Sequence, residues 1–268
     1  MDTKTGLDGE IRKIGLDQEK GATELAILSA LALNRSRTIG EMHASAEALL
    51  YMKPMMAPIV NLATGVKACP TMGQAQNFLR NFLRSMQKGQ EEVASHFVSL
   101  LLKNHPECEA IVTLSASTLV EACIMKLYDR LKSIKVIVAE SRPKMEGTAL
   151  AKRLGTKIKG VFVTWDASIF AFLRRGVIAV VGADAVLKET FVNKAPTLAL
   201  CLVAKSNRVP VFVVTTSHTV LEPTAEPYFS VPKPRQIEAG GVCILDHQFD
   251  VIPRPLVDYI VTDKGLLS

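Results

Sequence analysis

Residues 177–186 read Val-Ile-Ala-Val-Val-Gly-Ala-Asp-Ala-Val, and this stretch decides the fold. The run that opens it is apolar without alternation, and its residues are small or β-branched. That is the pattern of a strand buried on both faces, as in a parallel sheet. Asp184 follows at once. A carboxylate at the end of a buried strand is either the N-cap of a following helix or part of a site.

Similar short runs occur at 110–113, 136–139, 161–164 and 211–214, with 242–245 as a weaker sixth. Helical segments such as 117–132 and 147–154 separate most of them. Strand and helix alternating at this spacing predict parallel βαβ units covered on both faces. Upstream the rhythm is helical. Residues 41–50 are strong helix formers, and Phe78, Leu79, Phe82, Leu83 and Met86, then Val93, Phe97, Leu100 and Leu101, recur at helical steps. Lys88-Gly89 reads as a break between those two stretches. The expected fold is α/β, with a helical domain over 1–105 followed by a Rossmann-like, doubly wound parallel-sheet domain over 106–268. Pro223, Pro227, Pro232 and Pro234 predict an extended surface loop over 222–234. No internal repeat or low-complexity segment is visible.

The chain has 268 residues, 48% of them hydrophobic and 22% charged, which suits a globular protein with a real core. The first residues carry no apolar stretch of the secretory kind, and apolar runs such as 26–33 are too short to cross a bilayer. A cytoplasmic protein without membrane attachment is expected. The five cysteines lie apart without a CxxC pair, and the five histidines show no HxxxH spacing. Neither a disulfide framework nor a structural zinc is expected, and no cofactor is called for. The net charge of +6 includes Lys152-Arg153, Lys157, Lys159 and Arg174-Arg175. A solvated helix face explains these best and attraction of a phosphorylated small molecule second. Direct nucleic-acid binding ranks third, since the charges form no long run and have no interleaved aromatics.

Open parallel sheets bind ligands beyond the carboxyl ends of their strands. The residues expected there are Ser115 and Ser117 after the first run, Glu140-Ser141-Arg142-Pro143 after the second and Asp166 after the third. Asp184 follows the fourth, and Thr215 to His218 the fifth. Each has a structural alternative. Ser117, Asp166 and Asp184 fit simple N-caps, worth about 1 kcal/mol each. Arg142 fits a surface pair with Glu140, and His218 fits a solvated loop better than a catalytic base. Their convergence with Asn193-Lys194 suits a phosphorylated ligand, held by an arginine and helix N-termini.

These residues resemble a known superfamily. Glu140-Ser141-Arg142-Pro143 with Gly147, Asp166-Ala167, Gly182-Ala183-Asp184, Asn193-Lys194 with Thr197, and 210–214 carry the resemblance. It is to the domain shared by the regulatory subunits of translation initiation factor 2B, methylthioribose-1-phosphate isomerase and ribose-1,5-bisphosphate isomerase. Residues 249–253 and 262–265 resemble the family's C-terminal end. Lys20-Gly21-Ala22 and 58–62 are similar to its two substrate-contact segments. The resemblance implies a helical domain on a Rossmann-like domain, self-association, and a sugar-phosphate site. It also implies, for the isomerases, proton exchange between a cysteine and the aspartate of Gly-Ala-Asp. Here Ser115 stands at the cysteine's place, Lys20 and Ala57 stand where the family has arginines, and Thr219 replaces a lysine. The resemblance therefore implies a factor 2B-like regulatory protein binding a sugar phosphate or nucleotide, with initiation factor 2 or other 2B-type subunits as partners. The alternative is an aldose–ketose phosphate isomerase using Asp184 and Ser115. Either would bind substrate through Lys20, Gly21, Ala22, Ser117, Arg142, Asn193 and Lys194.

Overall fold

The computed structural model describes residues 6–17, 22–231 and 233–267. The chain divides into two compact units, Met1–Lys88 with Asp184–Lys188 and His218–Val231, and Gly89–Ala183 with Glu189–Ser217 and Pro232–Ser268.

The first unit is built on α1 (Leu7–Leu16), α2 (Ala22–Leu33), α3 (Ile39–Met52), α4 (Ala57–Lys67) and the opening turns of α5 (Met72–Asn104). α3 begins where the Thr38 hydroxyl accepts the Glu41 N–H at 3.2 Å, while the Glu41 carboxylate accepts the Arg37 N–H at 2.6 Å. The first bond satisfies a donor that the helix leaves unpaired, and the second ties down the backbone just before the cap. α4 packs against α2 and α3, and Leu25, Leu33, Met42, Leu49, Ile59 and Leu62 are fully buried. Each such side chain contributes about 2 kcal/mol. Lys88-Gly89 does not interrupt α5, contrary to the sequence expectation. One glycine costs a helix only about 1 kcal/mol, and the apolar steps continue from Phe82 and Met86 to Val93 and Phe97, all buried.

The second unit carries the sheet. Its elements are β1 (Ala110–Thr113), α6 (Thr118–Leu131), β2 (Lys135–Ala139), α7 (Glu146–Gly155), β3 (Val161–Thr164), a 3-10 helix (Asp166–Phe172) and β4 (Val177–Val181). The short β5 (Ala185–Val186) belongs to the first unit, where Val186 bridges Val220. There follow β6 (Thr190–Lys194), α8 (Thr197–Ser206), β7 (Val211–Val214), β8 (Arg235–Ala239), β9 (Val242–Asp246), β10 (Phe249–Pro253), β11 (Tyr259–Thr262) and β12 (Gly265–Leu266).

The seven strands of the main sheet run β12-β11-β7-β4-β1-β2-β3. All pair in parallel except β12, which is antiparallel to β11. One face packs under α6, α7 and the last turns of α5, in a core that includes Phe97, Leu127, Val136, Leu154, Val180 and Phe212. α8 and the 3-10 helix lie against β7 and β2 on the sheet's remaining cover. The expected doubly wound α/β fold is what the chain adopts. The run 242–245 is a strand, but β9 pairs only with β8, in a hairpin turned by Gly240 and Gly241 at φ +59° and +81°. Those angles are the left-handed pair that a two-residue hairpin requires, and two glycines adopt them without strain. The sixth parallel strand is instead β11. Residues 222–231 form a loop containing a short 3-10 helix, Glu226–Tyr228; Pro232 lies outside the described residues.

All five cysteines are free thiols. Burial pushes the Cys108 thiol up to about 11 and that of Cys201 up to about 12, and raises Cys123 further still. Cys69, half-buried, is raised by the same cause, and Cys243 is exposed on β9. A thiol titration with an aromatic disulfide at about pH 8 therefore shows Cys243 reacting promptly, because only the thiolate attacks. Cys69 follows slowly, and the full five react only after denaturation. Prompt reaction of Cys123 or Cys201 would refute the packing of α6 or α8.

Candidate functional site

The strand order reverses between β1 and β4, so their carboxyl ends form the switch point where doubly wound sheets take ligands. The loops leaving the two strands touch. A Cβ on Gly182, just past β4, would lie 3.3 Å from the Ser117 hydroxyl oxygen. Ser117 caps α6, its Oγ accepting the Val120 N–H at 3.3 Å. The cap alternative thus describes what Ser117 does.

Ser115 is held in the left-handed region at φ +63°, an unusual place for a residue with a side chain. Its N–H donates to the Ser141 Oγ at 2.7 Å, and its own hydroxyl donates to Glu146 Oε2 at 3.2 Å. The same carboxylate oxygen lies 3.4 Å from the Lys194 ammonium, whose residue is only 8% exposed. Ser115, Glu146 and Lys194 therefore form one polar chain at the carboxyl edge. Asn193 turns its amide to Thr197 Oγ1 at 2.9 Å, and that hydroxyl donates to the Lys194 carbonyl at 2.6 Å. Asn193 thus braces the β6–α8 connection.

Asp166 is not the cap of its own 3-10 helix; Trp165 occupies that position, without a side-chain hydrogen bond. Instead its two carboxylate oxygens accept the N–H groups of Ser141 and Arg142, at 2.7 and 2.8 Å. Ser141, like Ser115, has positive φ, at +62°. Consecutive N–H groups turned to one side in this way make an anion-binding concavity, and here an internal carboxylate fills it. The Arg142 side chain pairs with Glu140 at 2.9 Å and is 68% exposed. The surface-pair alternative holds for it.

Asp184 lies in the first unit. β5, not a helix, follows it, which removes the cap alternative. Ala22 opens α2 in the same unit, and Lys20 and Gly21 fall outside the described residues. His218 is not a solvated loop residue. Its ring packs against Phe82 in a tilted arrangement, centroids 4.4 Å apart, and its Nε2 lies 2.7 Å from the Ser85 hydroxyl. Asn61, in the second family-like segment, donates to the carbonyls of His218 and Val220 at 2.8 and 2.7 Å and accepts the Glu222 N–H at 3.2 Å.

Glu146 was not legible as a site residue in the sequence. The signal that could have found it is its place directly before Gly147. A Cβ at Gly147 would come within 1.8 Å of the Ala139 carbonyl oxygen, so α7 starts hard against the end of β2 and carries Glu146 to that edge.

Residues 17–268 match the model of the initiation factor 2 subunit family. A protein of Pyrococcus horikoshii named as translation initiation factor eIF-2B subunit 2-like is 30% identical over 265 residues, covering 96% of this chain and 94% of its own length. The ribose 1,5-bisphosphate isomerase of Archaeoglobus fulgidus is 26% identical over 246 residues, covering 85% and 76%. Among solved structures, the translation initiation factor eIF-2B of P. horikoshii OT3 superposes with a TM-score of 0.79 at 29% identity, over 97% of this chain and 96% of the other. A chain of the tetrameric eIF2B-beta2-delta2 complex from C. thermophilum superposes at 0.70 with 17% identity, over 100% and 92%.

Removing the Asp166 carboxylate leaves two backbone donors without their acceptor. Asp166→Ala is expected to cost about 2 kcal/mol, against about 1 kcal/mol for loss of the Ser117 cap in Ser117→Ala. Urea denaturation of the two variants checks the order, and equal losses would overturn the bidentate role of Asp166.

Proposed function

The chain belongs to the initiation factor 2 subunit family, and on that footing we propose that it is a factor 2B-like regulatory protein binding a sugar phosphate or nucleotide without efficient catalysis. The observation that carries this reading is the state of Ser115. A hydroxyl becomes a useful proton-transfer group when an adjoining base is free to take its proton. The base beside Ser115 is Glu146, and that carboxylate is already the counter-ion of Lys194. Lys194 is the cation left for a ligand phosphate, which has to share it with, or win it from, Glu146. Ser117 and the Ser141–Arg142 backbone border the same edge, and Lys20, Gly21, Ala22 and Asn193 complete the proposed binding set. The protein acts in the cytoplasm, assembled with copies of itself or with other 2B-type subunits, and initiation factor 2 is its proposed target.

A second reading, an aldose–ketose phosphate isomerase, is favoured by one feature. Asp184 keeps the Gly-Ala-Asp segment that resembles the isomerases. In that reading Asp184 does the acid–base work, with Ser115 or a water at the place of the thiol.

Incubation with ribose 1,5-bisphosphate and with methylthioribose 1-phosphate distinguishes the two. The regulatory reading expects no ketose from either, and a rise in melting temperature with at least one phosphorylated ligand. Ketose formation that disappears in Asp184→Asn would overturn it. Glu146→Gln removes the charge competing for Lys194, so it is expected to tighten phosphate-ligand binding about tenfold, whereas Lys194→Ala abolishes the thermal shift.

A further inference from the structure

Parallel strands bring all their amino ends to one edge, opposite the edge just described. Lys135 is the first residue of β2, Lys157 and Lys159 lead into β3, Arg174 and Arg175 into β4, and Arg208 into β7. All six are exposed. Among the described residues none of the six is in an ion pair; the recorded pairs engage other cations, such as Lys132 with Asp129 at 3.1 Å. Three carboxylates, Glu107, Glu109 and Asp258, also lie just before strands of this sheet, and Asp258 is occupied in accepting the Val211 N–H at 2.8 Å. Six cations thus line the amino ends of β7-β4-β1-β2-β3, a width of roughly 19 Å at the usual strand spacing, with Glu107 and Glu109 before β1 and Asp258 before the neighbouring β11.

Exposed aromatic side chains run from these charges along β3 to its far end. β3 is the edge strand and rises from Lys159 through Phe162, 52% exposed, to Trp165, 74% exposed. The 3-10 helix then returns to Phe172, 36% exposed, two residues before Arg174. A strand of a parallel sheet is normally covered on both faces. β3 is not, because the connection to β4 is a short 3-10 helix packed on β2 rather than a full α-helix. A concavity bounded by Lys205, Arg208 and Asp258 opens beside the amino end of β7.

We propose that this amino edge, with the β3 flank, binds single-stranded nucleic acid. Cations tracking a phosphate backbone beside aromatic rings that accept unpaired bases are the two elements such surfaces combine. A second copy of the chain is a poorer occupant, since a two-fold contact through this edge sets like charges against each other. An acidic protein segment satisfies the cations but gives the exposed rings nothing to stack.

Trp165 is the chain's single tryptophan, so base stacking reads out as fluorescence quenching. Titration of the intact protein with a labelled oligouridine of about twelve nucleotides is expected to give saturable anisotropy and quenching. Affinity falls about 20-fold between about 50 and 150 mM salt if about four phosphates are neutralised. Arg174→Glu combined with Arg175→Glu weakens binding about tenfold or more, and Trp165→Ala weakens it about fivefold or more. Each variant is checked for an unchanged melting temperature. Arg80→Glu with Arg84→Glu, exposed on α5 in the other unit, makes the same change in net charge and leaves binding intact. An equal loss in that control would reduce the effect to overall charge and overturn the proposal. So would the absence of saturable binding, indifference to Trp165→Ala, or a polyglutamate peptide competing as well as oligouridine. Phosphate-ligand binding at the carboxyl edge is unaffected by any of these outcomes.

Discussion

The carboxyl edge of the sheet depends on one close approach, between the first turn of α7 and the last carbonyl of β2. With hydrogen in place of a side chain, Gly147 lets the helix start where a Cβ would sit 1.8 Å from the Ala139 oxygen. No rotamer relieves a clash with backbone at that distance, so any other residue moves the helix. The consequences spread outward from there. Glu146 is carried to Ser115 and Lys194. The Ser141 hydroxyl, which donates to that same Ala139 carbonyl at 3.1 Å, is fixed where it accepts the Ser115 N–H. One missing methyl group therefore sets the geometry of four polar residues.

The two ends of the sheet solve their electrostatics in opposite ways. At the carboxyl edge each anion-attracting feature already has an internal carboxylate. Asp166 fills the Ser141–Arg142 concavity, Glu146 faces Lys194, and Glu140 holds Arg142. A buried or half-buried cation needs such a partner, because an unpaired one costs several kcal/mol of lost solvation. The amino edge is solvated, where unpaired lysines and arginines cost little and produce a field instead. An incoming phosphate thus competes with carboxylates already paired to the cations at one end, whereas at the other the six cations form no ion pair with the three carboxylates nearby.

Much of this was legible in the sequence and some was not, for identifiable reasons. The parallel strands at 110–113, 136–139, 161–164, 177–181 and 211–214 announced themselves because burial on both faces leaves unbroken apolar runs. β9 carries a similar run for a different reason, since it packs only against β8, and its Gly240-Gly241 turn was the available signal. β11 was obscured because Tyr259 to Thr262 is short and flanked by charge. Residue types at strand ends pointed to the carboxyl edge, where Ser115, Ser141 and Asp166 do gather, but not to their pairing. Asp166 looked like a cap because caps follow strands, yet its partners are 25 and 24 residues earlier in the chain. Such contacts come from the sheet's strand order, which places the loops after β2 and β3 side by side. The cations are scattered in the sequence for the same reason: only the topology gathers them.

The serine at position 115 matters to the proposed function through magnitude. A single positioned acid or base supplies roughly 10²–10⁴-fold in rate, while enzymes reach at least about 10⁶-fold over the uncatalysed reaction. Asp184 acting alone would leave a gap of two or more powers of ten, about 3 kcal/mol of barrier. A thiol with a pKa near 8.5 is ionised in part at neutral pH and could help close that gap. A hydroxyl donating to a carboxylate that is itself paired with an ammonium offers no comparable proton acceptor. Asp184 and Lys194 with a serine rather than a thiol at position 115 is therefore the combination that the proposed function, holding a sugar phosphate rather than converting it, expects.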